Sequence, residues 1–154
     1  MSLPASVRDV AMLLARIGVG VVFFAHGWQK LVTNGVDGTA AFFDQSGVPL
    51  PTLAAWFATA VELLGGAALV LGLAVPVAGV LLALNMLGAY VFVHAGNGIF
   101  VDQGGYELVL ALGAAALLLA AVGAGRFSLD HVLFGRHRAA TDEGADAGRS
   151  AQRR

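Results

Sequence analysis

Seven polar residues interrupt otherwise apolar stretches of this chain: Arg16, His26, Lys30, Glu62, Asn85, His94 and Glu107. A charge at the centre of a membrane helix costs about 2.5–3.5 kcal/mol, so such residues persist where they pair or bind something. At about 100° per residue, Arg16, His26 and Lys30 fall within roughly a quarter-turn of one helix face. Gly20 and Gly27 share that face. With α-helical rise, Arg16 lies about 6 Å from the centre of its stretch, while Glu62 and Asn85 stand near the middles of theirs. The expectation is an inner set in which Arg16 meets Glu62 and Asn85. His26, Lys30, His94, Asn97 and Glu107 form a second polar layer near the outer mouth. The inner set suits either a structural ion pair that fixes helix register or a pocket for a polar-headed, apolar-bodied ligand. His26 and Lys30 suit interfacial snorkelling of a lysine beside a solvated histidine, or a donor pair for a carbonyl or anionic group.

Other chemistries find less support. His26, His94 and Glu107 lack a tight ligand spacing such as His at i and i+4, so no metal site is predicted. There is no cysteine, which excludes disulfides, thiolate metal sites and thiol redox chemistry within the chain. No GxGxxG or GxxxxGK[ST] phosphate loop occurs, and no nucleophile–base–acid arrangement is legible. A net charge of −1 offers no field for nucleic acid.

The elements that must position these residues are helices in lipid. The 154 residues are 58% hydrophobic and 12% charged, against about 25% charged in a soluble domain. Four apolar runs cover residues 10–31, 52–73, 75–94 and 106–125. Each matches a hydrocarbon layer about 30 Å thick. The expected fold is all-α: a polytopic membrane protein with four transmembrane helices in an antiparallel bundle, making one domain over 1–138. The apolar start is too long for a cleavable signal. Arg8 precedes the first run and Arg126, Arg136 and Arg138 follow the last, whereas the loops at 32–51 and 95–105 carry Asp37, Asp44 and Asp102 and no Lys or Arg. Both termini are therefore expected on the cytoplasmic side.

Finer features follow from turn chemistry. Thr39 is expected to cap a short helix carrying Phe42 and Phe43 at the membrane surface, and Thr52 to cap the second span. Ser128 is expected to cap an amphipathic interfacial helix over 128–137, with a disordered cytoplasmic tail at 139–154. Trp28 and Trp56 suit interfacial anchoring.

Four segments, RIGVGVVFFAHGWQKL, FFDQSGVPLP, AVELLGGAALVLGL and PVAGVLLALNMLGA, carry a resemblance to the DoxX family of small bacterial membrane proteins. It covers residues 15–133, and its clearest marks are the arginine–glycine first helix ending in G-x-x-K-L and the E-L-x-G-G of the second. Arg16, Gly27, Lys30 and Glu62 match recurrent family positions. The resemblance implies four helices in the bacterial cytoplasmic (inner) membrane. Relatives include the DoxD-like subunit of an archaeal thiosulfate:quinone oxidoreductase. An actinobacterial member is associated with a membrane oxidoreductase complex involving superoxide dismutase and a thiosulfate sulfurtransferase. The implied function is redox-associated, with a polar intramembrane cavity for a quinone or similar amphiphile. The alternatives are a non-catalytic scaffold that recruits soluble redox enzymes at its cytoplasmic face, alone or as a homo-oligomer, and a small-solute carrier.

Overall fold

A computed structural model describes residues 4–133 of the chain. The described residues are all-helical and carry no strand. Helix α1 (Ala5–Trp28) continues through a π-helical turn (Gln29–Thr33), α2 is Gly35–Gln45 and α3 is Pro51–Leu71. Helix α4 (Val75–Ala89) likewise ends in a π-helical turn (Tyr90–His94), and α5 is Glu107–Val122. Three segments are long and apolar enough to cross a bilayer: Ala5–Thr33, Pro51–Leu71 and Val75–His94. The fourth, α5, is shorter than the expected 106–125. Its 16 residues span about 24 Å, because Gly123 and Gly125 take left-handed φ of 85° and 72° and end the helix.

Two glycine-notched antiparallel pairs build the bundle. A Cβ on Gly20 would lie 2.7 Å from the Gly66 carbonyl oxygen, and one on Gly27 2.7 Å from the Leu63 nitrogen. Only glycine lets the α1 and α3 backbones approach so closely. Gly79 plays the same part between α4 and α5, where a Cβ would lie 2.6 Å from the Ala116 carbonyl oxygen. These two pairs make the most extensive helix contacts, and α3 against α4 joins them. The buried core includes Phe23, Leu69, Val75, Leu82, Ala116 and Leu119. Helix α2 packs on α3 by burying Val36 and Ala40 against Ala55.

Two expected caps are replaced. Thr39 lies inside α2, where its Oγ1 donates to the Gly35 carbonyl at 3.0 Å; the helix starts four residues earlier. Helix α3 starts at Pro51 with Leu50 at the capping position, φ 51°, and no side-chain cap. Proline's fixed φ and missing N–H suit that first position. Ser128 does cap: its Oγ accepts from the His131 N–H at 3.1 Å. Residues 129–133 are helical as expected, and residues 134–137 of that helix and the 139–154 tail lie outside the described residues.

The segment 125–130 forms a strap across the end of the bundle where α1 begins. Asp130 accepts from the N–H groups of Ala74 (2.9 Å) and Val75 (3.3 Å) at the start of α4. Its own N–H donates to the Gly72 carbonyl at 3.0 Å. Ala74 holds φ 47°, a conformation unfavourable by about 1–2 kcal/mol for a residue with a Cβ, and the Asp130 bond helps to hold it. Asp130→Ala is expected to lower stability by about 1–2 kcal/mol, as loss of a helix cap does. Thermal unfolding followed by circular dichroism in detergent checks this.

Candidate functional site

At the opposite end, where Lys30 lies, the bundle opens into a cavity of about 450 Å3. Glu62 stands on its wall at the middle of α3 and is buried. Lys30, carried inward by the π-helical turn, pairs with Glu62 Oε2 at 2.6 Å. Asn85 Nδ2, from α4, donates to Glu62 Oε1 at 2.9 Å. One carboxylate thus ties α1 to α3 and α3 to α4. His26 and His94 also line the cavity. His94 sits in the second π-helical turn with Nδ1 2.6 Å from the Gly104 carbonyl oxygen. Both π-helical turns that end α1 and α4 thus contribute to the wall of one cavity.

Most of the remaining lining is apolar. Phe42, Phe57 and Phe92 line the cavity and are also 51%, 51% and 42% exposed, so the cavity reaches the outer surface of the bundle between aromatic rings. Sequence reasoning placed Phe42 and Phe43 at the membrane surface and did not assign them to a site. The signal was there: α2 is too short to span, and its aromatic pair needs an apolar neighbour.

Arg16 does not join Glu62 and Asn85. It lies at the other end, 1% exposed, with Nη2 donating to the Phe127 carbonyl and Nη1 against Gly72. The reason is register. Gly20 meets Gly66 and Gly27 meets Leu63, so Arg16 falls opposite Gly72, ten residues from Glu62 and about 15 Å away along α3. The expected inner set therefore divides: the strap takes Arg16, and Lys30 takes its place at Glu62. Glu107 and Asn97 lie at the same end as His94 but do not line the cavity. Glu107 Oε1 accepts from the Val101 N–H at 2.8 Å. Asn97 Nδ2 donates to the Val93 carbonyl at 3.2 Å. Both brace the connection between α4 and α5. Among the described residues, no three His, Asp or Glu side chains converge as metal ligands.

The arrangement can hold a molecule with a polar ring and an apolar body. Lys30 keeps two N–H donors beyond its bond to Glu62, and apolar walls exclude water and strengthen each polar contact.

Comparison with known proteins agrees with this architecture. The family model described as DoxX matches residues 11–95. The chain is 34% identical over 126 residues to "Putative oxidoreductase CatD" of Bacillus subtilis (strain 168), covering 82% of this chain and 89% of that protein. It is 33% identical over 128 residues to "Inner membrane protein YphA" of Escherichia coli (strain K12), covering 80% and 90%. A third relative, "Inner membrane protein YqjF" of the same organism, is 30% identical over 130 residues, covering 82% and 94%. No solved structure matches the chain.

Proposed function

This chain belongs to the DoxX family, and from that membership we propose that it holds a quinone or similar ring-bearing amphiphile in the Lys30–Glu62–Asn85 cavity. It does so in the bacterial inner membrane, serving an oxidoreductase system. The observation that carries this reading is the cavity itself: about 450 Å3, apolar on most sides, with a buried ion pair on one wall. A site of that size with a few fixed polar groups is what a small amphiphile requires. The scaffold reading calls for a sealed bundle, which the cavity disfavours. The name of the Bacillus relative points to redox chemistry, and those of the Escherichia relatives to the inner membrane. Both termini face the cytoplasm in this reading, since Arg8 and Arg126 flank the strap end and the opposite loops are acidic. The chain has no cysteine, so thiol-borne electrons would reach the ligand from a partner.

Titration of the protein in lipid nanodiscs with a short-chain ubiquinone or menaquinone analogue tests the proposal, with empty nanodiscs correcting for partition. Saturable binding is expected. Glu62→Gln and His26→Ala should each weaken it by about tenfold, the effect of one lost polar contact. Asp130→Asn, at the far end, should leave it unchanged. Absence of saturable binding, or equal affinity in all variants, would overturn the reading.

A further inference from the structure

We propose that the cavity selects the reduced, hydroxyl-bearing form of its ring ligand over the oxidised, dicarbonyl form. This rests on the quinone reading above and follows from which hydrogen-bonding atoms the protein leaves uncommitted.

Glu62, as a carboxylate, only accepts hydrogen bonds. The Asn85 atom facing it at 2.9 Å must therefore be the amide nitrogen, which leaves Asn85 Oδ1 as an acceptor with no bond among the described residues. A similar argument fixes His94. The Gly104 carbonyl, 2.6 Å from Nδ1, cannot donate, so Nδ1 carries the proton. In the neutral ring Nε2 then presents a lone pair. Glu62 adds further acceptor capacity, because each oxygen takes one described bond, from Lys30 and from Asn85, and retains a second lone pair. Against these stand two spare protons on Lys30 and the second amide proton of Asn85, while His26 contributes one donor and one acceptor as a neutral imidazole. All five residues line the cavity.

The wall is therefore richer in acceptors than in donors. A dicarbonyl ring only accepts: Lys30, His26 and the spare Asn85 N–H can satisfy it, but its oxygens add nothing for Asn85 Oδ1, His94 Nε2 or Glu62. A hydroquinone donates two hydroxyl protons and still accepts. It meets both halves of the wall at once. Buried acceptors left without donors are unfavourable, so the reduced form gains about tenfold or more in affinity. By linkage, tighter binding of the reduced form raises the midpoint potential of the bound couple, by about 30 mV for each tenfold in a two-electron couple.

The test compares duroquinone with durohydroquinone on the full-length protein in nanodiscs, without oxygen, again corrected with empty discs. The wild type should bind durohydroquinone about tenfold or more tightly than duroquinone. His94→Phe removes the free Nε2 acceptor and leaves Glu62 with its partners, so it should weaken the hydroquinone chiefly and the ratio falls toward one. Equal affinity for the two forms, or tighter duroquinone, would overturn the selectivity and leave the ring-binding reading standing. A preference that survives in His94→Phe would overturn the assignment to these acceptors. If neither form binds, the cavity reading fails and the selectivity with it.

Discussion

Lys30→Met is expected to lower the unfolding free energy by about 3–5 kcal/mol, the range seen when one member of a buried ion pair is removed. The size follows from where Glu62 stands. Its side chain is 3% exposed, and no other cation is hydrogen-bonded to it among the described residues. Asn85 would remain as its one described partner, and an amide satisfies a carboxylate less well than an ammonium does. The double variant Lys30→Met/Glu62→Met should recover most of the loss, since well-packed apolar residues often replace a buried pair at little or no net cost. Unfolding in mixed detergent and dodecyl sulfate micelles, followed by circular dichroism, measures all three proteins. A loss for Lys30→Met below about 1 kcal/mol would class the pair with exposed salt bridges. It would also mean that the site is wetter than its geometry implies.

Gly72→Ala should be comparably severe for a different reason. Gly72 holds φ 71°, unfavourable for alanine by about 1–2 kcal/mol. Its added Cβ would also overlap the Arg16 guanidinium and crowd Ser128 Cβ at 2.6 Å. Overpacking of this kind adds about 1–3 kcal/mol. Gly35→Ala supplies the control, because Gly35 has nearly the same φ, 70°, with nothing within 4 Å of the new Cβ. The loss should be about 2–5 kcal/mol at Gly72 and about 1–2 kcal/mol at Gly35. The difference isolates the contact between Arg16 and the strap. Equal losses at the two positions would mean that Arg16 moves aside freely and that the strap does not depend on it.

Both expectations concern partners that sequence reasoning assigned differently. Depth arithmetic brought Arg16 to Glu62 because each stands inside an apolar run and opposite charges attract. What it lacked was the α1–α3 register. Gly20, Gly27 and Gly66 were visible as a small-residue face, but which glycine meets which backbone depends on close packing between two chain segments forty residues apart. Lys30 was read as an end residue that either snorkels or joins His26 as a donor pair, not as the partner of Glu62. The helical segment instead runs on to Thr33, so Lys30 remains within it and turns inward. The strap was legible only as a capped turn. Its partner for Arg16 is a backbone carbonyl, and a carbonyl carries no residue-type signal.

The apolar runs by themselves determined that the chain is helical and belongs in lipid, since a continuous apolar run of about 20 residues crosses a bilayer with its backbone satisfied only as a helix. They also determined that Arg16 and Glu62 must face protein, because lipid cannot solvate charge. Only the tertiary structure decided which charge answers which. Two glycine-notched helix pairs close tightly, their contacts set the antiparallel register, and that register carries Arg16 to the strap while leaving Lys30, Glu62 and Asn85 together on the wall of a cavity.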